Sequence, residues 1–253
     1  MSAAGRLPDF VILGAQKAGT TSLAAWLARH HACFIAPEKE VHYFDLGLAK
    51  GEAWYRSRFA GAPWRARAGE ATPYYLFHPA CAARIARTLP AAKLVVLLRD
   101  PVERAISGYF HAVRFGREPL AIDEAMDAEA ARLAEDDALE ARDPSAYLEH
   151  RQWRSYQARG DYAAQLARYH AEGCAPRLHV VFFEELVATP GPVLAALCAF
   201  LGLAPATHAL ERANAGIGRR DELGALRARL RTRFAEGDAR LAAMLGRPLP
   251  WSK

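Results

Sequence analysis

The apolar positions of this chain alternate between two periods. Three short runs are almost wholly apolar: Phe10-Val-Ile-Leu13, Lys93-Leu-Val-Val-Leu-Leu98 and His179-Val-Val-Phe-Phe183. Runs this short, rich in β-branched residues, predict strands buried on both faces, as in a parallel sheet. Between them the spacing is helical. Leu23, Trp26 and Leu27 predict a helix over Thr20–Ala28. Further helices are predicted over 79–88, from Pro101 onward, over 151–171, over 191–201 ending at Gly202, and from Glu222 to Leu245. Pro101 suits a first helical position, where no backbone donor is needed. Residues 118–146 differ. They are rich in Ala, Asp and Glu without a strong apolar stripe, which predicts a surface helical insertion and candidate lid. The βαβα order predicts an α/β fold, a P-loop-like central parallel sheet flanked by helices on both faces. With no repeat and no low-complexity linker in 253 residues, one domain spanning 1–253 is expected.

Composition narrows the class. Hydrophobic residues are 52% of the chain, enough for a packed core. The net charge of +5 is mild; it suits an anionic ligand without demanding nucleic acid. The N-terminal stretch lacks the pattern of a signal peptide, and no run reaches the roughly 18–20 apolar residues of a membrane span. A cytoplasmic protein is expected, with a catalytic domain cut from a longer anchored protein as the alternative. The cysteines Cys33, Cys81, Cys174 and Cys198 form no CxxC pair. They signal neither a zinc site nor a disulfide framework and read as small buried apolar residues.

The candidate chemistry starts at Gly14-Ala-Gln-Lys-Ala-Gly19, between a strand and a helix. A glycine loop opening a helix offers unpaired backbone N–H groups and the positive end of the helix dipole to an anion. Nucleotide triphosphatases place a lysine directly after the last glycine of such a loop. Here Thr20 stands there and the lysine has moved inside the loop, to Lys17. Such a loop should still hold a phosphate, but the departure argues against ATP or GTP hydrolysis. An ordinary β–α turn is the bland alternative.

VILGAQKAGTTSL resembles the 5′-phosphosulfate loop of sulfotransferases that use 3′-phosphoadenosine 5′-phosphosulfate. LVVLLRDPVERAISGYFH resembles their second hallmark, a strand ending in Arg-Asp-Pro followed by a helical Ser. EVHYFD, GEATPYYLFHP and LGRPLPW are similar to segments of the heparan sulfate branch. The resemblance covers about residues 9–251, apart from 118–150. It implies that Lys17, Ala18, Gly19, Thr20, Thr21 and Ser22 hold the 5′-phosphosulfate, and that Arg99 and Ser107 hold the 3′-phosphate. Gly218, Arg219 and Arg220, in the late loop ANAGIGRR, are candidates for closing over it. For Arg99 the alternative is a salt bridge with Asp100 or Glu103.

Sulfuryl transfer needs alignment, a base for the acceptor proton and a cation for the leaving oxygen. Lys17 is the natural cation, and no metal is expected. The resemblance implies Glu40 as the base; a loop carboxylate beside a cationic site can remain ionised at neutral pH. A salt bridge with Lys39 or a nearby arginine is the alternative for Glu40. His42 is the rival base, since an imidazole suits proton abstraction near pH 7. It also stands, with Lys39 and Tyr74, as a candidate acceptor contact. His111 reads as structural. Tyr43, Phe44, Trp54, Tyr75 and Trp153 are further aromatic candidates, at least half of them expected in the core. The heparan branch carries an acceptor-contacting lysine where this chain has Ala71, and a disulfide hairpin with no counterpart near 211–221. The acceptor, a small molecule or a glycan, therefore stays open. A small-metabolite P-loop kinase and a non-catalytic nucleotide- or glycan-binding protein are the alternative functions.

Overall fold

The apolar runs form the centre of a five-stranded sheet. In the computed structural model its strands are β1 (Phe10–Gly14), β2 (Cys33–Ile35), β3 (Arg67–Ala71), β4 (Lys93–Leu98) and β5 (Leu178–Phe182). The structure describes residues 5–38, 40–143, 146–206, 208–211 and 221–252. All neighbouring strands pair in parallel, in the order β2-β3-β1-β4-β5. β1 is buried throughout, and β4 is buried from Leu94 to Leu98, which requires cover on both faces. From β1 the chain runs to β2 and β3 on one side and then to β4 and β5 on the other. The order thus reverses beside β1, and the carboxyl end of such a strand is where open α/β sheets bind ligands.

The chain divides into two compact units. The first takes in the described residues up to 99 and those from 164 to 211, and holds the whole sheet. β3 does not show in the apolar pattern, for a local reason. Phe10↔Gly69 are register partners, and a Cβ on Gly69 would lie 2.3 Å from the Phe10 ring. A glycine and the buried Glu70 therefore stand where an apolar pattern would have needed larger aliphatic side chains.

The second unit takes in residues 100–163 and 221–252. Its core joins Val102, Ala105, Ile106, Tyr109 and Ala112 of helix Pro101–Arg114 to Leu226, Leu230 and Phe234 of helix Gly224–Leu245. The i, i+4, i+8 spacing of the last three lays them on one face. Pro101 takes the first helical position, and the Asp100 carboxylate caps the helix by accepting from the Val102 amide at 2.9 Å.

Residues 118–146 were expected as a surface insertion. The helix Ile122–Arg142 is there, but Ala125 and Met126 are buried in this unit's core. Several of its acidic residues bind backbone instead of water. Glu129 accepts from the amides of Gln157 and Ala158 at 2.6 and 2.8 Å, and Asp136 accepts from the Arg151 amide at 2.5 Å. The same contacts break the single helix expected over 151–171. It is divided into Glu149–Trp153, a 3₁₀ turn at Ala158–Gly160, and Tyr162–Ala171. Gly160 packs so closely on Phe234 that a Cβ would approach the ring to 2.6 Å.

All four cysteines are buried and free. Among the described residues no helix is long and apolar enough to cross a membrane.

Candidate active site

β1 ends at Gly14, and the chain turns through Ala15, whose amide donates to the Leu97 carbonyl at 2.6 Å. Lys17 and Gly19 both take left-handed backbone, at φ 70° and 95°. For a lysine this costs about 1–2 kcal/mol, a strain that a functional loop retains and an ordinary turn has no need of. The helix Thr20–Ala28 starts directly after Gly19, which gives it no side-chain cap. Gly14 is needed for close approach, because a Cβ there would lie 2.7 Å from the Pro73 carbonyl and 2.9 Å from the Leu76 Cβ. The start of the loop is therefore packed against the segment that follows β3.

Arg99, just past the end of β4, donates from one terminal nitrogen to the Lys17 carbonyl at 3.1 Å. Its guanidinium lies 5.0 Å from the centroid of the Phe183 ring, a cation–π distance. The same ring lies under Gly19, whose Cβ would come within 3.1 Å of it. Phe183 is thus a shared floor for the loop glycine and the arginine. The two carboxylates proposed as salt-bridge partners for Arg99 take other arginines, Asp100 binding Arg231 and Glu103 binding Arg227, each at 2.6 Å. Ser107 is half-buried on helix Pro101–Arg114, in the second unit. Lys39, Gly218, Arg219 and Arg220 lie outside the described residues.

The second cluster is on the stretch 40–45. The His42 imidazole sits between two carboxylates, with Nε2 3.1 Å from Glu40 and Nδ1 2.6 Å from Asp45. The Asp45 side chain is fully buried, and its other oxygen accepts from the Leu46 amide at 2.8 Å. Burial disfavours the imidazolium, but the hydrogen bonds and charges of Asp45 and Glu40 outweigh it and raise His42 to about 9. The raised value favours the imidazolium at neutral pH, with an N–H directed at each carboxylate.

A buried network holds that stretch from below. The Thr72 hydroxyl accepts from the amides of Val41 at 3.0 Å and His42 at 3.4 Å. The Tyr75 hydroxyl accepts from the amides of Tyr43 at 2.7 Å and Phe44 at 3.4 Å. Both hydroxyls donate to Glu70, Thr72 at 2.7 Å and Tyr75 at 3.3 Å, and the Tyr55 hydroxyl adds a third bond at 2.6 Å. Glu70 is 0% exposed. Its burial raises the carboxyl to about 7 against the opposing pull of the three hydroxyls.

Most of the aromatic candidates are packing residues. Tyr43, Phe44, Tyr74 and Tyr75 are buried, with Tyr43 stacked on Tyr55 at 4.4 Å and Tyr74 edge-on to His78 at 5.5 Å. Trp54 is half-exposed and carries Lys50 and Arg58 over its ring at 4.2 and 4.8 Å. In the second unit His111 stacks on Trp153 at 6.0 Å. Sequence reasoning assigned no role to Asp45, Glu70, Thr72 or Phe183. Asp45 had a signal, a carboxylate three residues past His42. The others become visible only when β3 and β5 are placed.

The glycine loop thus leaves the carboxyl end of a central parallel strand, where open α/β sheets bind ligands, and the carboxylate–histidine cluster of 40–45 belongs to the same unit. Residues 52–207 match the model of the Sulfotransferase family, and the chain belongs to that family. Both clusters on residues 14–45 lie before the matched span. Over 198 residues the chain is 32% identical to the mouse heparan sulfate glucosamine 3-O-sulfotransferase 3B1, covering 78% of this chain and 47% of the relative. Over 112 residues it is 39% identical to the membrane-associated sulfotransferase kil1 of Dictyostelium discoideum, covering 43% of this chain and 24% of the relative. The chain thus spans about half or less of the length of these curated relatives. The crystal structure of a sulfotransferase from Alicyclobacillus acidocaldarius superposes with a TM-score of 0.78 at 33% identity, covering 96% of this chain and 98% of the other.

Proposed function

We propose that this chain transfers a sulfuryl group from 3′-phosphoadenosine 5′-phosphosulfate to a hydroxyl or amine of an acceptor, with a carbohydrate as the acceptor class. The observation that carries the reading is the adjacency of the two clusters' supports. β1 delivers the anion loop and β3 delivers the residues that hold 40–45, and the two strands pair with Ile12 opposite Ala71. The Thr72 amide donates to the Ile12 carbonyl at 3.2 Å, which continues the pairing past the strand end. The loop fits a phosphosulfate on its own features: a helix start without a side-chain cap, a left-handed lysine, and glycines where a Cβ would crowd Pro73 and Phe183. The carbohydrate class rests on the heparan sulfate glucosamine relative, weighed against Ala71 in place of that branch's lysine.

The donor supplies an electrophilic sulfur bonded to a phosphate oxygen that leaves with the electron pair. Lys17, Ala18, Gly19, Thr20, Thr21 and Ser22 bind the phosphosulfate through amides, hydroxyls and the Lys17 ammonium. Lys17 meets the charge that builds on the bridging oxygen as the S–O bond breaks. Glu40 takes the proton of the acceptor hydroxyl as its oxygen bonds to sulfur. Protonated His42 is a poor base, which favours Glu40. It acts as a positioning residue that fixes the Glu40 carboxylate against Asp45. Arg99 holds the shape of the loop through the Lys17 carbonyl and presents its remaining N–H groups to the donor.

The test has two arms. 3′-Phosphoadenosine 5′-phosphate should raise the melting temperature well above the effect of equal ATP, since ligand that binds only the folded state stabilises it. Labelled donor should then transfer label to a member of a panel of sugars, phenols, lipids and amines. Equal stabilisation by ATP would favour a kinase. Binding without transfer across the panel would favour a binding protein.

A further inference from the structure

Glu70 is the most completely buried acid of the first unit and touches no reacting group. Three hydroxyls donate to it, from Tyr55, Thr72 and Tyr75. A hydroxyl has a single proton. Once Thr72 and Tyr75 give theirs to Glu70, only their lone pairs remain, and these must face donors. The donors they meet are four consecutive backbone amides, Val41 and His42 on Thr72, Tyr43 and Phe44 on Tyr75. The ionised carboxylate, which takes over as the pH passes about 7, thus dictates the polarity of both hydroxyls. Through them it fixes the backbone of the stretch that carries Glu40 and His42. The strain at His42, at φ 52°, shows how firmly that backbone is held. An apolar residue at position 70 would leave both hydroxyls free to rotate, and a hydroxyl turned toward an amide would repel it.

We propose that Glu70 is a positioning residue for sulfuryl transfer: by taking the protons of the Thr72 and Tyr75 hydroxyls it locks residues 41–44, and so places Glu40 and His42. The inference rests on the reading that Glu40 and His42 serve the acceptor proton, but the locking itself is measurable without any activity. Tyr55 supplies the control. It bonds the same carboxylate, while the 41–44 amides go to Thr72 and Tyr75.

The experiment compares Glu70→Gln, Tyr75→Phe, Thr72→Val and Tyr55→Phe in the full chain. It reads amide hydrogen exchange at 41–44, kcat and KM, and affinity for 3′-phosphoadenosine 5′-phosphate. Glu70→Gln should speed exchange at 41–44 by about tenfold or more, as a local opening does, with little change in β1 or β4. Tyr75→Phe should do the same at 43–44 and Thr72→Val at 41–42. Tyr55→Phe should leave all four amides within about threefold of the wild type. In the active enzyme, misplacement of the base should lower kcat about 10- to 100-fold in the first three variants, with donor-product affinity kept. Should Glu70→Gln fail to fold, the Thr72 and Tyr75 variants decide the question by the same readouts. Exchange at 41–44 that rises no more than in Tyr55→Phe, or rises equally across the whole sheet, would overturn the proposal. A wild-type protein that transfers no label, yet shows the predicted exchange pattern, would sink the functional reading and leave the locking network standing.

Discussion

Arg99 donates to the backbone carbonyl of Lys17 at 3.1 Å, so the guanidinium at the end of β4 is bonded to the loop that leaves β1. The bond ties down the left-handed backbone at Lys17. The planar fork of arginine can hold a carbonyl with one nitrogen and face an anion with the others. Arg99→Ala should therefore weaken binding of 3′-phosphoadenosine 5′-phosphate by about 10- to 100-fold, the worth of a charged hydrogen bond or two. Arg99→Lys should recover little, since an ammonium lacks the fork. Titration calorimetry reads both. Affinity within twofold of the wild type in Arg99→Ala would show that the arginine serves the loop, through the Lys17 carbonyl and Phe183, and not the donor.

Lys17 is a lysine where backbone geometry prefers glycine. Lys17→Gly should relieve that strain and raise stability by about 1 kcal/mol, while removing the cation proposed for the leaving oxygen. The expected outcome is a higher urea midpoint together with loss of transfer. A destabilised Lys17→Gly would mean that the side chain makes stabilising contacts worth more than the strain.

His42 makes stability depend on alkaline pH. The group is raised to about 9 in the folded state from an ordinary 6.5, so the folded chain holds its proton where the unfolded chain has lost it. Its contribution is complete below pH 6.5, declines as the pH rises, and is gone above about 9. Glu70 acts over an earlier window. Its raised carboxyl makes folding less favourable as the pH climbs from 4.5 to about 7, with no further change beyond. Denaturant unfolding at pH 7, 8 and 9 should therefore show a decline that His42→Asn removes. The same slope in both proteins would place the titrating group elsewhere.

The central strands and the glycine loop after β1 were legible because each stands on local chemistry. Phe10–Leu13 and Lys93–Leu98 are apolar on both faces, and Gly14–Thr20 carries its glycines at positions that close packing requires. β3 was not legible, because Gly69 yields space to Phe10 and Glu70 is paired only through residues that the fold assembles. The acidic helix Ile122–Arg142 misled for the same reason. Glu129 and Asp136 look solvated in the sequence, but their amide partners lie 28 and 15 residues away. Polar residues buried against distant backbone carry no periodic signal. Asp45 was different: its carboxylate three residues beyond His42 was readable and went unassigned.

Glu40 and His42 make opposite predictions for the same assay. With Nε2 3.1 Å from Glu40 and Nδ1 2.6 Å from Asp45, His42 is protonated at neutral pH and has no lone pair to accept a proton. Glu40→Gln keeps the shape and removes the proton acceptor. It should retain affinity for 3′-phosphoadenosine 5′-phosphate and lower kcat by about 10²- to 10⁴-fold. It should also bring His42 down from about 9, because one of its two carboxylate partners is gone, and the histidine ring resonances report that directly. His42→Asn should cost less, since it leaves the Glu40 carboxylate in place as the proton acceptor. If His42→Asn abolished transfer while Glu40→Gln kept it, the base would be the imidazole, and the two carboxylates would serve only to orient it.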